Sequence, residues 1–407
     1  MLSFHSQVMD QSVAATSQRY SPGGPSDTYF DTYHCVPDYE IDWSQRWEPF
    51  LSKGTGLTPL SNFYKIHGNI HVAGRSFHTV EQAYQFAISY LYDQAEAMDE
   101  VGRDNLHPAK VKAIARAHKE QYLSAIGKAI LWHMLPSIMR PLVLQKCEDP
   151  YVGNLLENLG NTQLLEANPQ DMFWGVGMQA HELHFKPLNH KVKNVMGKIL
   201  EEVRSLRRTG QSPWPRTIVI GDNCIFPLLG IQTNDQDKTI LSWPDASFTE
   251  LVQLAVLVAK PPISQIIFVG GQQAALSRNK AGEITLLNAT TYTKAIARKL
   301  SYLRHIIAAN IVISVIPPSP YWNIYQTPKT EWAQGVATKL ENKLAQMRNL
   351  QPIRVVPLPP SLQAIESWKW EPALPETAYE VYPMNEPTLT PAGLEEMDYL
   401  LQQLACE

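Results

Sequence analysis

The stretch from Phe77 to Leu91, FHTVEQAYQFAISYL, decides the fold of the first half of the chain. Its apolar residues recur at helical spacing and predict an amphipathic helix with one buried stripe, formed by Val80, Ala83, Tyr84, Ala87, Ile88 and Leu91. Thr79 followed by Gln82 predicts a capping box at the start of this helix. Glu81 and Gln85 lie one turn apart and therefore share a side of it.

The position of Glu81 indicates a chemical role for its carboxylate. It falls in the first turn of the predicted helix, where unpaired N–H groups and the helix dipole favour the ionised form. Such a carboxylate suits the stabilisation of positive charge or the activation of water better than proton donation. The alternative is that Glu81 only completes a good helix start.

Composition shifts along the chain predict two domains. Residues 1–47 are rich in Ser, Tyr, Asp and Gln without periodicity, which is typical of a disordered tail. Residues 48–208 carry mostly helical signals and predict a mainly-α (α+β) domain. The sequence TGQSPWP interrupts the helix and predicts a linker over residues 209–216. In residues 217–407, short aliphatic runs such as TIVIG and QIIFVGG alternate with helical segments, which predicts an α/β parallel-sheet domain of flavodoxin-like type.

Charge, cysteines and hydropathy exclude several classes of protein. The formal net charge of −4 argues against a general nucleic-acid binder, which carries a broad basic surface, although a local basic groove remains possible. The four cysteines are far apart and form no CxxC pair, so neither a disulfide framework nor a thiolate zinc site is expected. The N-terminus has no signal-peptide pattern, and no apolar run reaches the roughly 18 residues of a membrane span. We therefore expect an intracellular protein without a membrane partner, in the cytoplasm or alternatively in the nucleus.

Several short motifs in the first half resemble signatures of the NADAR (YbiA-like) family, in the order in which that family carries them. They are LSNFY (60–64), VEQAYQ (80–85), PAKVKAIAR (108–116), Trp132, LLE (164–166), DMFWGVG (171–177) and NVMGKILEEVR (194–204). The resemblance implies an N-glycosidase acting on ribosylamino-pyrimidine phosphates or on ADP-ribosylated guanine bases. The expected ligand is an ADP-ribose-like or ribosyl-phosphate molecule, free or attached to a nucleic acid, and no cofactor is expected.

Cleavage of a C1′–N bond passes through an oxocarbenium-like state, so it needs a carboxylate and a donor for the leaving base. By analogy with glycoside hydrolysis, which uses two carboxylates, we expect Glu81 to act together with Asp171 or Glu166. Trp174 is expected to stack on the base. The alternatives are that Trp174 belongs to the core and that Asp171 and Glu166 are solvated turn residues.

Further binding residues follow from the same resemblance. Ser61 and Asn62 are expected to donate hydrogen bonds to ribose or phosphate, with Phe63 and Gln85 beside them. Gly175 and Gly177 would let the backbone approach the ligand closely. Asn194 and Gly197, at the start of the last helix of this domain, would bind phosphate through its N-terminus; alternatively, Asn194 only caps that helix.

The chain departs from the family pattern at two places. Many relatives carry a lysine seven residues after the helix-start glutamate, where this chain has Ile88. The segment 178–193 is longer than the glycine-rich turn common in the family, which puts the family substrate, or activity itself, in question. His181, His184 and His190 lie in that segment, but without a nearby acidic cluster they do not predict a metal site.

The second half resembles SGNH hydrolases in three short blocks, TIVIGDN, FVGGQQ and LTPAG. Asn223 stands where those enzymes have the nucleophilic serine, and Asn385 and Thr388 stand where they have Asp and His. After His190 the chain has one histidine, His305, in a predicted helix, so a working triad is not expected. Asp222 and Asn223 could still line a ligand crevice at the strand ends. The alternative for the whole chain is a non-catalytic ADP-ribose-binding protein with a pseudo-hydrolase scaffold.

Overall fold

The computed structural model describes residues 41–222 except 43, 52–54, 123–124, 186–191, 212–213 and 215. Beyond residue 222 it describes 238–243, 246–260, 263–270, 276–278, 284–307, 310–315, 353–357 and further short stretches up to 401. The first region is rich in helices and also contains short strands. Its helices are α1 (Val80–Leu91), α2 (Ala95–Val101), α3 (Pro108–Tyr122), α4 (Ala125–Lys146), α5 (Pro150–Asn158) and α6 (Val195–Thr209). Its strands are β1 (Trp47–Phe50), β2 (Ile70–Val72), β3 (Arg75–Phe77) and β4 (Gln163–Glu166).

Helix α1 is the centre of this region. The hydroxyl of Thr79 accepts a hydrogen bond from the Gln82 N–H at 3.2 Å, which confirms the predicted N-cap. A capping box also needs a bond from the Thr79 N–H to the Gln82 side chain, and the described hydrogen bonds of Gln82 do not include it. Its side-chain amide donates to the carbonyls of Val101 and Arg103 at 2.9 and 2.8 Å. All of α1 except Tyr90 is buried, so its polar residues lie inside the domain.

Packed structure begins before residue 48, where the sequence predicted the domain to start. Strand β1 pairs in parallel with β4, and Trp47 is the partner of Gln163 in this register. The amide of Gln163 accepts a hydrogen bond from the Asp42 N–H at 3.0 Å and donates one to the Asp42 carbonyl at 2.7 Å. Ile41 is buried against Leu165 and its neighbours. Ile41, Asp42 and Trp47 therefore contact the first domain, although they precede its predicted start.

The predicted linker is attached to the first domain at Trp214. Helix α6 ends at Thr209, and the Gly210 that caps it has a φ of 69°, in the left-handed region that glycine adopts readily. The Trp214 ring is buried, its Nε1 donates to Glu202 Oε2 at 2.5 Å, and the Arg140 guanidinium lies 5.9 Å from the ring centre. Trp214, in the middle of the predicted linker, is therefore packed against α6 and α4.

Five parallel strands form the largest sheet among the described residues. They are β5 (Thr217–Gly221), β6 (Lys238–Ser242), β7 (Gln265–Gly270), β10 (Asn310–Val315) and β11 (Ile353–Pro357), paired in the order β11-β10-β7-β5-β6. Numbered along the chain this order is 2-1-3-4-5, as in flavodoxin-like doubly wound sheets. Helices α7 (Phe248–Val258) and α8 (Ala289–Ile306) belong to the same region. The described residues also form three short antiparallel strand pairs. They are β2 with β3, β8 (Leu276–Arg278) with β9 (Ile284–Leu286), and β12 (Trp368–Lys369) with β13 (Thr388–Leu389).

Side chains near the C-terminal end of α1 contact the second region. Tyr92 packs edge-on against Trp243 with ring centres 5.3 Å apart, and Tyr90 hydrogen-bonds to Tyr302 of α8. Buried residues of both regions form one continuous hydrophobic cluster. None of the described helices is long and apolar enough to cross a membrane.

Candidate active site

Glu81 is held at the N-terminus of α1 by two independent contacts. Its backbone N–H donates to the Asn62 carbonyl at 3.0 Å, which joins the LSNFY loop to the start of the helix. Its side chain is buried, and Oε1 accepts a hydrogen bond from Gln85 Nε2 at 2.9 Å. The Gln85 Oε1 atom in turn accepts from Lys119 Nζ of α3, also at 2.9 Å. The polar pair predicted on α1 therefore exists and continues to a lysine of another helix.

The charge of Glu81 is set by opposing effects. Burial raises the pKa of this carboxyl, because the ionised form loses its hydration, and the negative charge of Asp171 raises it further. The positive charges of Lys112 and Lys119 and the hydrogen bond from Gln85 lower the pKa. The net result is a Glu81 pKa above its ordinary value, with burial as the largest cause and a donor and two nearby cations opposing it.

Glu166 lies at the end of β4 in a different environment. Its Oε2 atom is buried and has no hydrogen-bond partner among the described residues. Burial raises the pKa of the Glu166 carboxyl to about 8, and the charges of Asp171 and Glu81 add to this effect, while Lys112 and Lys146 oppose it. Three carboxyls therefore interact in one place, and Glu166 is the one whose surroundings favour the protonated form at neutral pH.

Asp171 organises the loop that follows β4. Its Oδ1 atom accepts hydrogen bonds from the Phe173 and Trp174 N–H groups at 3.1 and 2.8 Å. Trp174 is half-buried, and its ring stands edge-on to Tyr84 of α1 with centres 5.7 Å apart. Burial raises the pKa of Tyr84 well above its ordinary value, and the charges of Glu81 and Asp171 raise it further. Neutral aromatic rings therefore lie beside the three carboxyls.

Two predicted binding residues of the LSNFY loop differ in their surroundings. Asn62 has a buried side-chain oxygen without a described partner, whereas Ser61 bonds within the protein. Asn62 Oδ1 is buried without a hydrogen-bond partner in the part of the chain that the structure describes, and its Nδ2 lies 3.4 Å from Met196 Sδ. The Ser61 hydroxyl is buried and accepts from the Phe63 N–H at 3.2 Å. The Ser61 carbonyl accepts from Lys146 Nζ at 2.8 Å, and burial lowers the pKa of this lysine to about 8.

Asn194 and Gly197 join α6 to β4 instead of presenting an open helix end. The Asn194 side chain is fully buried, donates to the Leu164 carbonyl at 2.9 Å and accepts from the Glu166 N–H at 3.1 Å. It makes no capping bond to α6. A Cβ at Gly197 would collide with the Leu164 carbonyl oxygen. The N–H groups of residues 193–196 already donate to the carbonyls of residues 172–175, so this helix start does not offer the predicted phosphate site.

The two glycines of DMFWGVG serve the fold of their own loop. A Cβ at Gly175 would lie 2.5 Å from the Glu166 carbonyl oxygen, so glycine lets the loop approach the end of β4. Gly177 has a φ of 66°, which a residue with a side chain rarely adopts. The close approach that was predicted toward a ligand is made toward the protein backbone.

Lys112 and Lys119 were not singled out by the sequence reasoning, although a signal for them exists. They lie seven residues apart on α3, which is about two helical turns and places them on one face. Both interact electrostatically with Glu81. Ile88, where relatives carry a lysine, is fully buried in the core.

Several predicted residues lie elsewhere or outside the described ranges. Asn223 and His190 fall outside them, as does most of LTPAG. Asp222, at the end of β5, is buried in the second region, and a Cβ at Gly270 would lie 2.6 Å from its carboxyl group. Within the described ranges no three His, Cys, Asp or Glu side chains are arranged to hold a metal ion, and His184 packs against Trp47 with ring centres 4.9 Å apart.

Comparisons with known proteins agree with the motifs of the first region. Residues 50–207 match the model of the NADAR domain, which confirms the resemblance predicted for that half, and this family is linked to N-glycosidase-type hydrolase activity. No curated protein matches the chain. A solved structure described as that of "a putative platelet activating factor from Streptococcus pneumonia" is 12% identical and covers 49% of this chain and 88% of its own. Its TM-score of 0.33 is too low to indicate a shared fold, so the SGNH resemblance of the second region stays a prediction.

Proposed function

Residues 50–207 form a NADAR domain, and from this premise we propose that the domain hydrolyses the N-glycosidic bond between a ribose and a base. The substrate classes proposed are ADP-ribosylated bases and ribosylamino-pyrimidine phosphates. The observation that carries the proposal is the pair of glutamates in unlike surroundings. Glu81 accepts a hydrogen bond from Gln85, whereas Glu166 Oε2 has no hydrogen-bond partner among the described residues and burial raises the pKa of Glu166 to about 8.

Glu81 is the carboxylate that acts on the sugar. As the C1′–N bond breaks, positive charge develops on C1′ and the ring oxygen, and a fixed negative charge nearby lowers the energy of that state. The same carboxylate can accept a proton from the water that attacks C1′. Both roles require the ionised form, which Gln85, Lys112 and Lys119 favour against burial, although burial leaves the pKa of Glu81 above its ordinary value.

Glu166 is the acid that acts on the leaving base. With a pKa of about 8 it holds its proton at neutral pH and can donate it to the base nitrogen as the bond breaks. Water supplies the hydroxyl that ends on C1′, and its proton leaves through Glu81. The products are the protonated free base and a ribose with a hydroxyl on C1′. After they leave, Glu81 releases the proton it gained to solvent and Glu166 takes one up, so the overall reaction consumes one water and no net proton.

Binding of the substrate is assigned to Trp174 and Asn62. Trp174 is only half-buried, so its ring can stack on a base, and Tyr84 packs nearly perpendicular to it. Asn62 Oδ1 is a buried acceptor without a protein donor in the described ranges, and a ribose hydroxyl would satisfy it. Asp171 is assigned to hold the loop and to keep the proton on Glu166 through its charge.

For the second region we propose a non-catalytic scaffold of SGNH type. The strand order 2-1-3-4-5 and the three sequence blocks support this assignment. The sequence has Asn223 in place of the nucleophilic serine and offers only His305, in α8, as a general base after residue 190. Since such a mechanism needs both groups, no esterase activity is expected.

The experiment that tests the glycosidase proposal uses two substrates and one variant. Wild-type protein and E81Q are incubated with guanine-ADP-ribosylated DNA and with the ribosylamino-pyrimidine phosphate, and released ADP-ribose or ribose phosphate is measured. Release by wild type and not by E81Q supports the proposal. Binding of ADP-ribose without release from either substrate would overturn it in favour of a non-catalytic binding domain.

A further inference from the structure

We propose that Lys119 is a positioning residue, which fixes the orientation of the Gln85 amide and thereby directs a hydrogen-bond donor at the Glu81 carboxylate. The effect of Lys119 on catalysis rests on the proposed function, whereas its effect on the Gln85 amide and on the ionisation of Glu81 does not. It concerns a lysine on α3 that contacts neither sugar nor base in the proposed mechanism.

The chemistry of the three groups fixes the direction of the two hydrogen bonds. An ammonium group can only donate, so the atom of Gln85 that faces Lys119 must be the carbonyl oxygen Oε1. The NH₂ group of the same amide then faces Glu81, where it donates at 2.9 Å. Without the lysine, the amide could rotate by half a turn and place its oxygen against the carboxylate oxygen. That arrangement would repel the charge instead of stabilising it.

Among the described contacts of Gln85, the cation comes from α3. Helix α1 contains no lysine, arginine or histidine, and Ile88, one turn beyond Gln85, is fully buried in the core. Lys119 is half-buried, and its Nζ lies 5.7 Å from the centre of the Tyr84 ring, a second contact that fixes its position. The ammonium is therefore held between an aromatic face and an amide oxygen.

Other charges also act on Glu81 and must be separated from this effect. Lys112 of α3 favours its ionised form, Asp171 of the following loop disfavours it, and Glu166 of β4 interacts with it as a further carboxyl. Tyr84 of α1 is kept neutral. Only Lys119 is joined to Glu81 through a hydrogen-bonded amide among the interactions described. Its effect should therefore depend on Gln85, whereas a charge acting through space should not.

The test is a double-mutant cycle between Lys119 and Gln85 with two readouts. The variants are K119M, K119R, Q85M and K119M/Q85M, and K110M removes an exposed lysine of the same helix as a matched control. The first readout is the infrared titration of the Glu81 carboxyl without substrate, taken as the difference from E81Q. The second is the pH profile of kcat/KM for base release.

We expect K119M to move the ionisation of Glu81 to higher pH, and with it the acidic limb of the pH profile. At neutral pH, kcat/KM should fall by roughly ten- to hundredfold, the range of a hydrogen bond to a charged group. K119R should restore most of the effect, K110M should show none, and K119M should add little in the Q85M background.

Additive effects of K119M and Q85M, or a K119M titration identical to that of K110M, would overturn the inference. The infrared titration needs no turnover, so it decides the role of Lys119 even if neither substrate is cleaved. Absent cleavage with a shifted titration would refute the glycosidase proposal and leave the positioning role intact.

Discussion

Replacement of Asn194 by alanine separates a structural tie from a ligand contact. Asn194 is completely buried and makes two side-chain hydrogen bonds to β4, one to the Leu164 carbonyl and one from the Glu166 N–H. Its backbone has a φ of 43°, in the left-handed region that asparagine tolerates better than alanine. The substitution N194A removes both bonds and places an unfavourable residue at this φ.

The expected cost follows from these three losses. Each buried polar group left without this partner costs about 1–3 kcal/mol. A left-handed conformation adds about 1 kcal/mol for alanine. The free energy of unfolding should therefore fall by about 3–7 kcal/mol, which is a large part of the roughly 5–15 kcal/mol of a typical domain.

The assay is urea unfolding followed by far-ultraviolet circular dichroism and tryptophan fluorescence. N194G loses the same two bonds but keeps the left-handed conformation without steric cost, so it should be about 1 kcal/mol more stable than N194A. N161A, at an exposed asparagine, should change stability by about 0.5 kcal/mol or less. An N194A protein within about 1 kcal/mol of wild type would refute the structural role.

Three further predictions concern the site and the linker. Base release should decline as pH rises through about 8, because Glu166 then loses the proton it donates, and E166Q should remove this alkaline limb and lower kcat by roughly 10²- to 10⁴-fold. The sign follows from the raised pKa: the protonated form is present below about 8 and is lost above it. W174A should raise KM for base-containing substrates and lower kcat for the release of ADP-ribose, both measured from initial rates. A rise in kcat would contradict the stacking role. W214F removes the hydrogen bond to Glu202 and should lower the unfolding free energy by about 1–3 kcal/mol in urea titration; an unchanged midpoint would show that the linker is not packed in solution.

The features that could be predicted from the sequence are those set by local pattern. The apolar stripe predicted α1, and Thr79 was correctly assigned as its N-cap because the capping bond spans only three residues. The second half of the capping box is not among the described hydrogen bonds of Gln82, whose side-chain amide instead donates to the carbonyls of Val101 and Arg103 near the end of α2. Nothing in the local sequence indicates those partners.

The same limit explains the errors at the site. Asn194 has the sequence position of a helix cap, but β4 offers its side chain two buried backbone groups from some 30 residues away. Lys119 lies 34 residues from Gln85, so its contact follows from the packing of α3 on α1 and not from any motif. The difference between Glu81 and Glu166 likewise depends on burial and neighbours, which the spacing of the motifs does not reveal.

The boundaries of the first domain were predicted from the average composition of each segment, which does not show the contacts of single side chains. Residues 41–47 are polar enough to predict a tail, yet Asp42 and Gln163 exchange two hydrogen bonds and Trp47 enters the parallel pair with β4. The linker prediction rested on Gly and Pro residues, and the single tryptophan among them is what packs. In both places one or two side chains decide the structure against the average character of the segment.

The central claim is that the two glutamates divide charge and proton between them, and a change of leaving group tests it most directly. A substrate whose leaving group needs no proton, such as a ribosyl derivative of a nitrophenolate, should be cleaved by E166Q at nearly the wild-type rate, while E81Q should remain inactive on it. On the substrate with an unactivated base, both variants should be slow. If E166Q fails on both substrates to the same extent as E81Q, Glu166 is not the acid and the proposed division of roles is wrong.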